Sequence, residues 1–231
     1  MRTALLHDLS RHLAAKRPCA TATDVATGAQ AFVSDTEIGG DTFLSDEQLN
    51  EVRRRIATDR SGLIDASGIF VRVYTPPPRM IIVGAVHIAQ ALAPMATLAG
   101  FAVTVIDPRE AFVRSGQLAD IQSIVAWPDE AMAQVAPDVR TAVVTLTHDP
   151  KLDDPALAAA LKSPAFYIGA LGSKKTHAKR LQRLAGDGFS AADLARIHGP
   201  VGIDIDAVTP AEIAVSILAQ AVAVLRADPA P

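Results

Sequence analysis

Four short segments bring together side chains and glycines able to do chemistry. In the first, the apolar run Met80-Ile81-Ile82-Val83 ends at Gly84, His87 opens a helix-like stretch, and a second apolar run ends at Asp107. A glycine turn of this kind directs backbone N–H groups and a helix N-terminus at a phosphate. An acid about 20 residues further on binds ribose hydroxyls, and Asp107 stands at that distance from Gly84. The glycine fingerprint is altered: Val86 occupies its second position, where a branched side chain meets the incoming phosphate, and Ala89, a permitted substitute, occupies its third. Strand–glycine–helix turns also occur where nothing binds, so nucleotide binding is open on this motif. Arg109 can accept a ribose 2′-phosphate, which leaves NAD and NADP both open. His87 is either a packing residue or a donor facing the crevice, and its place beyond a strand's carboxyl end favours the donor.

The second segment, Thr145-Leu146-Thr147-His148-Asp149-Pro150, follows the strand-like Ala142-Val143-Val144. Thr147, His148 and Asp149 there form a polar rim, or else Thr147 or Asp149 caps a helix that starts at Pro150. The adjacent histidine and acid can also act as a general acid–base pair, but adjacency alone assigns no such role. The third segment runs from Tyr167 to Thr176 with Gly169, Gly172 and Ser173. Its glycine turn and following N–H groups can cradle an anion, with charge from Lys174 or Lys175; the spacing is not that of a P-loop. The other reading is Ser173 as a helix N-cap with exposed lysines. The fourth is the glycine-rich loop from His198 to Asp206. Asp204 and Asp206 lack a third ligand, and no metal site is expected.

These segments need a scaffold. Alternating strands (Met80–Val83, Ala102–Ile106, Ser123–Ala126, Thr141–Thr145, Ala165–Ile168) and helices (His87–Leu98, Pro128–Val135, Pro155–Lys162, Lys174–Leu184, Pro210–Leu225) predict right-handed crossovers and a Rossmann-like parallel sheet with helices on both faces. Thr209, Pro210 and Glu212 mark a capped start for the last helix, and Pro94 is expected to kink the first. Before them lies a small α+β region, residues 1–75. It has a helix at 3–16 with Leu5, Leu6, Leu9 and Leu13 on one side, a mixed stretch over 18–45, a helix at Glu47–Ala57, a very short strand at Gly62–Ile64, and a strand at Ile69–Tyr74 with Ile69, Val71 and Val73 on one face. Pro76-Pro77-Pro78 can continue neither helix nor ladder, so the domain boundary is placed at 76–78 and the second domain at 79–231.

Composition narrows the class. The 231 residues are 49% hydrophobic but only 4% aromatic, so aliphatic side chains build the core, as in helix-covered parallel sheets. A formal net charge of −3 speaks against nucleic acid. The runs Arg53-Arg54-Arg55 and Lys174-Lys175 read as solvated helix faces. Cys19 has no partner for an internal disulfide, which suits a reducing compartment. The amino-terminal residues show neither a signal peptide nor a spanning helix, so the cytoplasm is expected and a membrane is not.

From about Pro77 to Leu225 the chain resembles the xanthine dehydrogenase accessory factor (XdhC/CoxI) family in its C-terminal Rossmann-type domain. The phrases LTHDPKLDDPAL, YIGALGSKKTHAKRL and IHGPVGIDI followed by TPAEIAVSI carry the likeness. The resemblance implies a factor that binds molybdenum cofactor, assists its sulfuration, and delivers it to the apoenzyme of a molybdenum hydroxylase of the xanthine dehydrogenase or carbon monoxide dehydrogenase type. A cysteine desulfurase is a further implied partner. By that likeness Gly84, His87, Thr147, His148, Asp149, Gly169, Gly172 and Ser173 line the cofactor crevice, with Asp107 as the ribose-type ligand if a nucleotide is bound. The family commonly has glycine at the position of Val86. Its N-terminal Gly-Ser-x-Pro-Arg and Gly-Gly-Cys motifs are missing here, where Gly39-Gly40 is followed by Asp41. The only thiol, Cys19, is either a molybdenum or sulfur ligand, as the resemblance allows, or a buried small residue, the commoner state of a free cysteine. The alternatives are an NAD(P)-dependent oxidoreductase and a non-catalytic assembly or regulatory subunit. No residue is assigned a catalytic role, and a homodimer is an expectation from the alanine-rich helices.

Overall fold

A computed structural model describes residues 3–227 except 42, 65, 66, 114–117 and 119. The chain divides between Pro76 and Pro77 into two compact units, Arg226 onward being grouped with the first.

In the first unit the elements are α1 (Thr3–Ala14), β1 (Cys19–Asp24), β2 (Gln30–Ser34), β3 (Ile38–Gly40), α2 (Asp46–Thr58), β4 (Gly62–Ile64) and β5 (Ile69–Tyr74). The strands form a five-stranded antiparallel sheet, ordered β3-β2-β1-β5-β4. Strand β5 alternates as expected: Ile69, Val71 and Val73 are buried, and they pack with Val52 and Ile56 of α2. Leu5 and Leu9 of α1 are buried with Cys19 and Phe32 in a separate cluster. Leu6 and Leu13, expected on that same side, are about half exposed, because a single apolar cluster engages only one stripe of a short helix. Ser45 and Gln48 close a capping box at the start of α2. Cys19 is fully buried, and burial pushes its thiol up to about 11. Native protein should therefore react with iodoacetamide at neutral pH far more slowly than urea-unfolded protein, a comparison that mass spectrometry of the alkylated chain reads directly.

The second unit contains β6 (Arg79–Val83), α3 (His87–Leu98), β7 (Ala102–Ile106), α4 (Glu110–Val113), β8 (Gln122–Ile124), α5 (Pro128–Val135), β9 (Thr141–Thr145), α6 (Pro150–Leu161), β10 (Tyr167–Ala170), α7 (Lys174–Gly186), α8 (Ala191–Leu194), β11 (Ile197–His198) and α9 (Pro210–Arg226). The sheet is six-stranded and parallel, in the order β11-β10-β9-β6-β7-β8. Numbered within the unit, that is the 3-2-1-4-5-6 order of a doubly wound fold, whose ligand crevice lies outside the carboxyl ends of the strands where the order reverses. Here the reversal is between β6 and β9. The pleat of β6 sends Met80 and Ile82 into a core with Leu92 of α3 and Ile217 of α9. It sends Ile81 and Val83 into a second core with Leu157 and Leu161 of α6. Helices thus cover both faces, as expected.

Several boundaries differ from expectation. Helix α6 begins at Pro150, not Pro155, because Asp149 caps it and proline suits the first helical position. Pro155 lies inside α6, and Pro94 inside a continuous α3. Each gives up one helical hydrogen bond without ending the helix, since the buried apolar face persists on both sides of it. Strand β10 is shifted to Tyr167–Ala170 from the expected 165–168. Gly169 is paired within it, as Val201 packs against the space a side chain would need. Strand β8 covers 122–124, not 123–126, and β11 was not expected at all. Helix α9 starts as expected, with Thr209 Oγ1 accepting from Glu212 N and Glu212 accepting from the Thr209 and Val208 amides. No helix among the described residues is long and apolar enough to cross a membrane.

Candidate functional site

At the reversal, β6 ends in Gly84, whose φ is +105°. A Cβ built on Gly84 would stand 2.4 Å from Thr147 Cγ2. The turn after β6 and the loop after β9 therefore touch, and only glycine fits both the conformation and the approach. Leu146 N donating to Val83 O at 2.9 Å fixes the same contact.

Asp107, the expected ribose ligand, is turned inward. It is 1% exposed. Oδ2 accepts from Ala85 N and Arg109 Nη2, both at 2.8 Å, and Oδ1 from Arg109 N and Nε, both at 2.9 Å. Burial acts to raise its pKa, but the Arg109 guanidinium and the Ala85 and Arg109 amides outweigh it and hold the carboxyl below the ordinary aspartate value. The carboxylate fastens the Gly84–Ala85 turn to the end of β7, and its oxygens are taken. Arg109, the residue proposed for a 2′-phosphate, is likewise committed to Asp107. Asp107→Asn should lower stability by roughly 1–3 kcal/mol at neutral pH. A depressed carboxylate stabilises above its unfolded pKa and loses that contribution as pH falls through its folded one. The gap in Tm between wild type and Asp107→Asn should therefore narrow below about pH 4.

Val86 is the N-cap of α3 and makes no side-chain cap; it is half-buried against the core. His87 stands exposed at the first helical position.

The loop after β9 is held by its own polar groups. Asp149 accepts from Lys151 N at 2.9 Å, so it is the N-cap of α6. Thr147 Oγ1 donates to Asp153 Oδ1 at 2.7 Å and accepts from Asp149 N at 3.1 Å. Between them His148 sits at φ +61°, a left-handed conformation uncommon for a residue with a side chain. The β10–α7 turn approaches from the other side: a Cβ on Gly172 would stand 3.8 Å from His148 Nδ1 and 3.2 Å from Thr176. Ser173 is the N-cap of α7, accepting from Thr176 N at 3.2 Å. The structure thus brings Gly84, Thr147, His148 and Gly172 together in a chain of contacts. Gly169 is internal to β10, and Asp149 and Ser173 act as helix caps.

Sequence reasoning missed the charged residues beneath this rim. Asp153 on α6 and Arg180 on α7 have side chains only 2% exposed, with Arg180 Nη2 at 3.3 Å from Asp153 Oδ2. Burial pushes the Asp153 carboxyl up, and Thr147, Arg180 and His148 offset this only in part. The same Arg180 Nη2 donates to Leu171 O at 2.8 Å. A cavity of about 350 Å³ opens here, lined by His148, Pro150, Asp153, Lys175, Thr176, Lys179, Arg180 and Arg183. Arg183 is matched outside it by Asp154, at 2.5 and 3.0 Å. Lys175, Lys179 and Arg183 recur every fourth residue, as do Thr176 and Arg180. That spacing was the available signal for one face of α7 turned to a common site.

The fourth segment lies along the β10 side. His198 stacks on Tyr167 with ring centroids 4.8 Å apart, and burial lowers its pKa. Gln220 Oε1 accepts from Tyr167 OH at 2.6 Å and from Gly202 N at 2.8 Å, pinning the loop to α9. Asp204 and Asp206 are exposed. Among the described residues no group of three His, Cys, Asp or Glu side chains is placed to hold a metal ion.

Comparison with known proteins agrees with this architecture. Residues 80–221 match the model of the XdhC Rossmann domain. The chain is 34% identical over 151 residues to an Escherichia coli K12 protein named molybdenum cofactor insertion chaperone PaoD, covering 65% of this chain and 41% of that one. It is 32% identical over 178 residues to a Bacillus subtilis 168 protein named as a probable xanthine dehydrogenase subunit, covering 76% and 52%. A Bacillus halodurans structure described as a xanthine dehydrogenase superposes with a TM-score of 0.75 at 26% identity, covering 96% of this chain and 66% of that one. The chain spans about half or less of the length of the curated relatives it matches. The family match runs from β6 into α9 and takes in all four segments that meet at the carboxyl edge of the parallel sheet: this chain belongs to the XdhC Rossmann-domain family.

Proposed function

We propose that this protein binds molybdenum cofactor and hands it to the apoenzyme of a molybdenum hydroxylase. One observation carries the reading: the loops at the sheet reversal converge beside a cavity whose lining is rich in cations. Molybdenum cofactor is a pterin bearing a phosphate, and it supplies the metal centre of the recipient enzyme. The residues here fit an anionic ligand of that size. A cavity of about 350 Å³ is at the lower end of small-molecule sites, and Lys175, Lys179 and Arg180 bring positive charge to it. Gly84, Thr147, His148 and Gly172 would form the rigid wall at the reversal, with the pterin against it. An ordinary dinucleotide mode finds less support, because Asp107 is bonded internally and Val86 occupies the place of the second glycine.

Any sulfuration of the bound cofactor would draw sulfur from a partner such as a cysteine desulfurase. The chain's single cysteine is buried and holds its proton, so it is poorly suited to carry sulfur. A lone cysteine with no disulfide partner supports a cytoplasmic setting. The role is tested by transfer. Purified protein loaded with molybdenum cofactor should activate an apo molybdenum hydroxylase faster than the same amount of free cofactor, and Cys19→Ala should do so equally well. Activation no faster than with free cofactor would refute the role.

A further inference from the structure

Arg180 holds hydrogen-bonding capacity that the protein itself does not use. Its Nη2 serves Leu171 O and Asp153 Oδ2, while Nε and Nη1 are buried with no partner among the described residues. A guanidinium keeps its proton at any physiological pH, so these donors can be relieved only by an acceptor coming to them. An unmet buried donor costs roughly 1–3 kcal/mol, more when charged, and Arg180 lines the cavity from which an acceptor would come. Lys175 and Lys179, one helical turn apart and exposed, line the same cavity. Among the described residues the only carboxylate in that lining is Asp153, whose oxygens already accept from Thr147 and Arg180. The N-terminal end of α7 adds its partial positive charge. Its Thr176 amide is already taken by Ser173, so the seat for an anion is built from side chains further along the helix and not from the N-terminal amides.

We propose that Arg180, Lys175 and Lys179 form a subsite for the dianionic phosphoryl group of a larger organic ligand. With the Arg180 charge offset by Asp153, the two lysines match the two charges of a phosphoryl dianion, and its three terminal oxygens offer more acceptors to the lysines and the unmet Arg180 donors than the two oxygens of a carboxylate monoanion. The cavity of about 350 Å³ is many times the roughly 30 Å³ share of one water, which leaves room for the group that carries the phosphate. The subsite deepens the cofactor reading and rests on it only for the identity of that remainder.

Inorganic phosphate is the probe, titrated into the full chain by calorimetry, with chloride at matched ionic strength as the control. Saturable binding is expected, weakening with added salt and falling at least tenfold in the double variant Lys175→Gln/Lys179→Gln, whose exposed positions leave the fold intact by circular dichroism. Arg180→Lys should weaken it likewise; should that buried variant not fold, the lysine variant carries the test. No saturable phosphate binding by the wild type, or equal binding by the lysine variant, would overturn the subsite. Molybdenum cofactor titrated in parallel separates the two ideas. Phosphate binding without cofactor binding keeps the subsite and overturns the cofactor reading. Cofactor binding indifferent to both lysine substitutions and to excess phosphate keeps the cofactor reading and overturns the subsite.

Discussion

Asp153→Ala should destabilise the protein by about 3–5 kcal/mol, the cost of leaving one member of a buried ion pair without the other. At roughly 2–4 °C per kcal/mol for a domain of this size, the fall in Tm should be on the order of 10 °C. The argument does not require the pair itself to be a large net stabiliser. Burial already raises the Asp153 carboxyl, which means that the charged form is held at some expense. What the substitution removes is the partner of a guanidinium 2% exposed that cannot neutralise itself, together with the acceptor of the Thr147 hydroxyl. A double variant, Asp153→Ala with Arg180→Met, should recover part of the loss, since an apolar pair can replace a buried ionic one at little cost. Thermal melts of the three variants read the coupling. A fall of less than about 1 kcal/mol for Asp153→Ala would show that Arg180 finds another partner.

The second large effect is expected at Gly84. Gly84→Ala introduces a Cβ 2.4 Å from Thr147 Cγ2 at a φ of +105°, combining a clash with backbone strain of about 1 kcal/mol. The total should exceed roughly 2 kcal/mol. Thr147→Ser removes Cγ2 but keeps the hydroxyl that reaches Asp153, so in the Gly84→Ala background it should recover the stability lost to the clash and leave the loss due to strain. Additive effects in that cycle would show that the turn and the loop do not meet as described.

The parallel-sheet unit was readable because its central strands are apolar runs and α5, α6, α7 and α9 carry proline or capping residues at their starts. Tyr167–Ala170 was misplaced because Gly169, a poor strand former, is held there by Val201 from a distant segment. At the site, Gly84, Thr147, His148 and Gly172 stood out by their position after strands. Asp149 proved to be the helix cap that the sequence offered as its alternative reading, whereas Asp107 is spent on the Arg109 guanidinium and the Ala85 amide, a partnership that no spacing rule reveals. Asp153 and Arg180 escaped notice for another reason. Arg180 follows Lys174-Lys175, which read as a solvated face, and only the packing of α6 against α7 shows that the stripe carrying Asp153 and Arg180 is buried.

The most direct measurement is equilibrium titration of the purified full chain with molybdenum cofactor and, separately, with NAD and NADP. Saturable cofactor binding with no measurable dinucleotide binding is the predicted result. Dinucleotide binding without cofactor binding would contradict the account and return the Gly84–Asp107 unit to service as a nucleotide site.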